Sequence, residues 1–128
     1  MIDTVADEGL VEAAAARGAR LRAGLAEIAL RRPVVRSLRG RGLLQGIELQ
    51  DPATGADLPP ARRASERAAA LAKQRRLMIY AGNAALPDRE IDALLLAPPL
   101  VITDAEIDEV IERLDGALAA LESELAPG

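Results

Sequence analysis

The beginning of the chain carries a helical repeat of apolar residues. Apolar or small residues recur at spacings of three and four, at Leu10, Ala14, Gly18, Leu21, Leu25 and Ile28. This spacing places them on one face of a helix. The pattern therefore predicts a long helix over 4–31, capped by Thr4 with Asp7 and ended by Pro33. Because glycine costs a helix about 1 kcal/mol relative to alanine, Gly18 within this stripe predicts a close neighbour.

Short apolar segments separated by glycine follow the first helix. They predict one strand around 34–38 and a second over 43–49. Gly40 and Gly42 between these segments predict a tight turn or a bulge, because glycine adopts backbone angles that other residues avoid. Gly46 within the second segment indicates a bulge or a close backbone neighbour. The residues that follow, up to two consecutive prolines, have the composition of a loop.

The middle of the chain predicts one more helix and two more strands. We expect a helix over 61–75, a strand over 77–80, a loop over 81–92 and a strand over 94–97. The last segment is apolar at every position, which predicts a strand covered on both faces. Pro98 and Pro99 then end it, since proline cannot donate to a strand ladder.

The last part of the chain predicts a second long helix. Thr103 with Glu106 three residues later forms the capping-box pattern. The carboxylates of the first turns favour the positive end of a helix, so we interpret them as structural. The complete pattern predicts an α+β fold of one domain over 1–128. A small, mostly antiparallel sheet of three or four strands has helices on one face, with long helices at both ends of the chain.

Composition excludes several functions. The 128 residues carry a net charge of −4, which gives no indication of nucleic-acid binding. Histidine and cysteine are absent, so a Ser-His or Cys-His nucleophile pair cannot form within the chain. No secretory leader or membrane span is evident, and no metal-ligand spacing is present. We therefore predict a cytoplasmic domain that does not bind membranes.

Three features of the sequence are candidates for chemistry. The Gly-Arg-Gly segment at 40–42 lacks the full phosphate-loop pattern, and a turn is the better interpretation. Lys73 is the only possible Schiff-base amine, and it lies on an arginine-rich helix as a surface residue would. Asp88, Glu90 and Asp92 near Arg89 could form a polar site, although a charged surface loop is the commoner arrangement. No complete catalytic set is present.

Three stretches together resemble a known family. They are EGLVEAAAARGARLRAGL at 8–25, VRSLRGRGLLQGIEL at 35–49 and DALLLAPPLVITDAEIDEVIERLDGAL at 92–118. In this order they resemble the C-terminal small domain of class III aminotransferases, which are fold-type-I, pyridoxal 5′-phosphate-dependent enzymes. The resemblance covers nearly the whole chain and is closest to ω-aminotransferase-like members.

The resemblance implies that the catalytic half of the enzyme is absent. In the family, the cofactor lysine and most phosphate contacts belong to a large domain, and Lys73 does not match that lysine. The resemblance thus implies a chain without catalytic residues of its own, without bound pyridoxal phosphate and without transaminase activity. Its expected partners are the large domain or a second subunit in a homodimer, and an amine and a 2-oxo acid in the parent enzyme. The apolar face that meets the large domain should be exposed.

Two positions bear on the substrate. Family members acting on acetylornithine or 4-aminobutyrate carry an arginine for a substrate carboxylate where this chain has Leu95. Arg89 lies where ω-aminotransferase-like members place a mobile arginine, so the resemblance suggests Arg89 as a carboxylate-binding residue. The alternatives are a surface arginine and, for the whole chain, a non-catalytic binding or oligomerisation module with the same fold.

Overall fold

The computed structural model describes residues 4–41, 43–59, 62–86, 89–98 and 102–126. The helices in these ranges are α1 (Thr4–Arg31), α2 (Ala64–Gln74) and α3 (Asp104–Leu125). The strands are β1 (Val35–Arg41), β2 (Leu44–Leu49), β3 (Tyr80–Leu86) and β4 (Arg89–Leu96). None of the helices in the described ranges has the combination of length and apolar character that crossing a bilayer requires.

The strands form one antiparallel sheet in the order β1-β2-β4-β3. The three helices lie on one face of it, because alternate strand residues such as Ile47, Leu94 and Leu96 are buried while Leu44 and Leu95 are exposed. The fold is therefore the predicted α+β arrangement, with a four-stranded sheet and a long helix towards each end of the chain.

Small and branched side chains fill the core between the helices and the sheet. Leu21, Leu25 and Ile28 of α1 and Leu114 and Leu118 of α3 are buried, and alanines of α2 and α3 allow close packing. α1 approaches α3 closely at Gly24, where an added Cβ would lie 2.6 Å from Cγ1 of Ile111. The sequence had suggested such an approach at Gly18, which is buried in the same helix.

The predicted end of α1, end of the last strand and start of α3 are largely confirmed. α1 ends at Arg31, two residues before Pro33, and β4 ends two residues before Pro98. Thr103 Oγ1 accepts the Glu106 N–H at 3.1 Å, and Glu106 Oε1 accepts the Thr103 N–H at 3.1 Å, which completes the capping box. The side chains of Thr4 and Asp7, and all of Pro99, lie outside the described residues.

Three predictions about the sheet were wrong. The predicted strand 77–80 begins only at its last residue, and the predicted loop 81–92 is most of a hairpin, in which β3 pairs with β4 from Tyr80–Leu95 to Leu86–Arg89. Alanine, glycine and asparagine in β3 have weak strand propensity, so the hairpin depends on pairing rather than on local preference. The strand around 94–97 is covered on one face only, since Leu95 is 40% exposed.

A half-buried ion-pair cluster joins the end of α1 to α3. Arg32 Nε donates to Asp115 Oδ1 at 2.9 Å, and Arg32 Nη1 donates to Glu122 Oε1 at 3.3 Å. Glu122 Oε2 also accepts the backbone N–H of Val34 at 3.1 Å. The hydrogen bond from Arg32 lowers the pKa of Asp115 below its ordinary value, against the opposing effect of burial.

We expect this pairing to make stability depend on pH. Because the pKa of Asp115 is lower in the fold than in the unfolded chain, its contribution is present above the unfolded-state pKa and is lost as the pH falls through the folded-state pKa. Asp115→Asn should lower the free energy of unfolding by about 1 kcal/mol at pH 7, measured by urea denaturation. The difference from the wild type should shrink as the pH is lowered into the acid range.

A matched control is available on the same helix. Glu109 forms an exposed ion pair with Arg113, so Glu109→Gln should cost only a few tenths of a kcal/mol. An Asp115→Asn deficit that stays constant from pH 7 down to the acid range would contradict the assigned role of the carboxylate.

Candidate functional site

The face of the sheet turned away from the helices carries several exposed apolar side chains. We call this surface the open sheet face, and its apolar part comprises Leu44, Gly46, Tyr80, Gly82, Ala93 and Leu95. The ion pair of Arg39 with Glu48 lies on the same face. Leu44 is 53% exposed and Tyr80 is 59% exposed. Leu95 lies at the centre, because the register pairs it with Gly46 on β2 and with Tyr80 on β3.

Glycine on both sides of β4 opens a shallow cleft around Leu95. The cleft has a volume of about 250 Å³, and Gly46, Ala93 and Leu95 are among its lining residues. An added Cβ at Gly82 would meet no atom within 4 Å, so this part of the sheet is open to another molecule. The lining side chains contain no charged group, so the cleft suits apolar contact.

A second apolar cleft adjoins the first at Tyr80. It has a volume of about 220 Å³ and is lined by Leu77, Met78, Tyr80, Leu96, Ala97, Pro98, Ile102 and Val110. Met78 is 69% exposed. Four of the large exposed apolar side chains, Leu44, Met78, Tyr80 and Leu95, therefore belong to the open sheet face or its border, and a concentration of this kind is typical of an interaction surface.

Asp92 does not belong to a surface site. It lies on β4 and is 7% exposed, with its side chain on the helix side of the sheet. Its Oδ1 accepts the backbone N–H of Ser65 at 3.3 Å. The N-cap residue of α2, Arg63, has a left-handed backbone and makes no side-chain cap hydrogen bond, so Asp92 caps the first turn of α2 from a different element. The sequence interpretation of this aspartate as part of a charged surface loop was wrong.

Arg89 is the first residue of β4 and pairs with Leu86 of β3. It lies six residues from Leu95, which corresponds to roughly 20 Å along an extended strand. The side chains of Arg89 and Glu90, and all of Asp88, lie outside the described residues. Arg89 as a carboxylate-binding residue therefore stays a prediction.

The described residues do not fit pyridoxal phosphate. Lys73 is exposed on α2, on the helix side of the sheet, and it lines neither of the two clefts above. A cofactor lysine needs a site that also holds the ring and the phosphate. Within the ranges that the structure describes, no three carboxylates are grouped to hold a metal ion either. The open sheet face thus offers apolar contact and shape, and no group for covalent chemistry.

The sequence as a whole matches an enzyme family. The family model described as aminotransferase class III matches residues 1–118. The chain therefore belongs to the class III aminotransferase family.

Similar proteins include aminotransferases with different substrates in their names. An uncharacterised aminotransferase of Bacillus subtilis, YodT, is 34% identical over 122 residues, which are 94% of this chain and 28% of that protein. A diaminobutyrate–2-oxoglutarate aminotransferase of Rhizobium meliloti is 39% identical over 121 residues, which are 93% of this chain and 24% of that protein. The chain thus spans about a quarter of the length of these relatives.

Solved transaminase structures contain the same fold. A transaminase from a marine Virgibacillus superposes with a TM-score of 0.83 at 24% identity, covering 95% of this chain and 27% of that one. An (S)-enantioselective omega-transaminase from Thermomicrobium roseum superposes with a TM-score of 0.73 at 32% identity, covering 91% of this chain and 24% of that one. In each structure the matching region is part of a much longer chain.

Proposed function

We propose that this chain is the C-terminal small domain of a pyridoxal-phosphate-dependent, ω-aminotransferase-like enzyme. The parent enzyme would transfer an amino group from an amine or amino acid to a 2-oxo acid in the cytoplasm. The observation that carries the proposal is the family match over 1–118 together with coverage of only about a quarter of each relative. Pyridoxal phosphate, when bound in the parent, supplies the electron sink for the reaction.

In this proposal the open sheet face packs against the remainder of the enzyme and borders the substrate entrance. Its apolar residues and the two clefts at Tyr80 support such a role. In the same proposal the chain alone is inactive, because Lys73 lies on the helix side of the sheet and the described residues around it form no cofactor site. The assembled enzyme would be a homodimer.

The size of the native protein tests whether the chain is part of a larger enzyme. Extracts of the source cells would be separated by size and peptides of this chain identified by mass spectrometry. We expect these peptides in a protein several times larger than 13.5 kDa. Peptides found only near 13.5 kDa would instead support the alternative, a non-catalytic binding or oligomerisation module with the same fold.

Arg89 is proposed to bind a substrate carboxylate, since Leu95 cannot make the bidentate charge-assisted pair of an arginine. In the full-length enzyme, Arg89→Ala should raise KM for an amino-acid donor at least tenfold and leave KM for a simple alkylamine nearly unchanged. Arg63→Ala, which removes an exposed arginine at the N-cap of α2, serves as the control. Equal effects of Arg89→Ala on both donors would exclude carboxylate recognition by this residue.

A further inference from the structure

A cleft on the helix side of the sheet contains a half-buried arginine that has no acidic partner among the residues the structure describes. This cleft, which we call the helix cleft, has a volume of about 490 Å³ and lies between α1 and the β1–β2 hairpin. It is lined by Ala15, Gly18, Ala19, Arg22, Arg39, Gly40 and Gln45. It is distinct from the open sheet face, because Gln45 alternates with Leu44 and Gly46 along β2.

The guanidinium of Arg22 is held in place by two neutral acceptors. Nη1 donates to Gln45 Oε1 at 3.0 Å, and Nη2 donates to the Leu38 carbonyl oxygen at 3.1 Å. Gln45 is 2% exposed, so this partner is fixed by the core. Neither acceptor carries a charge, and among the described residues no carboxylate forms an ion pair with Arg22.

A partly desolvated cation that lacks a counter-charge favours binding of an anion. Arg22 keeps further N–H donors beyond the two in use, since a guanidinium has five. The other arginine at the cleft, Arg39, lies opposite Gly46, so its side chain extends on the open sheet face, where it is largely exposed and pairs with Glu48 at 3.0 Å. Arg22 is therefore the group at which an incoming anion gains most, and its fixed orientation reduces the entropy cost of binding.

The remaining walls restrict the kind of anion. Ala15, Gly18 and Ala19 present small apolar surfaces from the middle of α1, where backbone N–H groups are already used within the helix. The cleft thus lacks the several free N–H donors with which helix N-termini bind phosphate. A carboxylate needs fewer hydrogen-bond donors than a phosphate does, and an apolar group attached to it can contact Ala15 and Ala19.

We propose that the helix cleft binds a small carboxylate on a short apolar stem, with Arg22 as the residue that binds the carboxylate. Gly18 contributes part of the wall of the cleft. The proposal is independent of the transamination proposal, because it concerns the other side of the sheet and needs no cofactor.

Titration of the 128-residue chain with butyrate, followed by amide NMR, tests the proposal. We expect saturable shifts around Gly18 and Gln45 with a dissociation constant of about 1 mM, and no such shifts with the uncharged isostere butyramide. Arg22→Gln should weaken butyrate binding at least tenfold. Equal binding of butyramide, or no saturable shifts with butyrate, would overturn the proposal.

A pair of alanine substitutions separates cleft binding from structural damage. Ala19→Leu fills the helix cleft while keeping the arginine at position 22, and it should weaken butyrate binding at least tenfold. Ala26→Leu makes the same change at an exposed position of α1 that does not line the cleft, and it should bind as the wild type does. If Arg22→Gln fails to fold, the two alanine variants still test the proposal, since wild-type affinity of Ala19→Leu for butyrate would refute the assigned site.

Discussion

Gly40→Ala is expected to destabilise the chain by at least about 3 kcal/mol. Gly40 has a φ of +136°, a backbone conformation that residues with a side chain rarely adopt. An added Cβ would overlap the carbonyl oxygen of Leu44 and lie 2.8 Å from the Cα of Gln45. Both are backbone atoms of the paired strand, so relief requires the β1–β2 hairpin to move. Thermal unfolding followed by circular dichroism should show a loss of roughly 10 °C in Tm.

Gly55→Ala provides the matched control for this prediction. Gly55 also has a positive φ, of +75°, but its nearest neighbour would be Gln50 Oε1 at 3.8 Å. Backbone strain without overlap should cost about 1 kcal/mol. If Gly40→Ala were no more destabilising than Gly55→Ala, the close approach assigned to the hairpin would be incorrect.

Asp92→Ala is expected to cost about 2 kcal/mol, because it removes the cap of α2 and leaves the buried N–H of Ser65 without this acceptor. Asp92→Asn keeps an acceptor oxygen and should lose less than half as much. Urea denaturation gives the two free energies of unfolding, and hydrogen exchange at the first turn of α2 reports the cap directly. If Asp92→Ala kept the wild-type free energy of unfolding and the wild-type protection from hydrogen exchange at the first turn of α2, a capping role would be contradicted.

The helices could be predicted from sequence because their signals are local. The apolar spacing of α1 and α3, Pro33, and the Thr103–Glu106 capping box each determine structure within a few residues. The unusual backbone angle at Gly40, which lies in β1 opposite Gln45, was indicated on the same grounds, whereas its companion Gly42 lies outside the described residues.

The β3–β4 hairpin could not be predicted, because its stability comes from partners distant in the sequence. Gly82 and Asn83 have the local preference of a loop, and only pairing with β4 makes them part of a strand. For the same reason the role of Asp92 could not be predicted. A carboxylate assigned to a loop gives no indication that it caps a helix whose first turn lies 27 residues before it in the sequence.

The open sheet face was missed for a related reason. An uninterrupted apolar run from Leu94 to Leu96 gives no indication of which side chains face the helices, so the sequence suggested cover on both faces. The exposure of Leu95 follows from the one-sided packing of the helices. The family resemblance did predict an exposed apolar surface, although without its position in the fold.

Treatment of the purified chain with pyridoxal phosphate and then borohydride, followed by intact-mass analysis, tests the central claim most directly. The claim is that this class III aminotransferase chain lacks the catalytic half of its enzyme. We expect no near-stoichiometric adduct, and Lys73→Arg should remove the trace labelling of the lysine side chain and leave only that of the α-amino group. A discrete adduct at Lys73 approaching one per chain, accompanied by amino transfer to a 2-oxo acid, would contradict the claim.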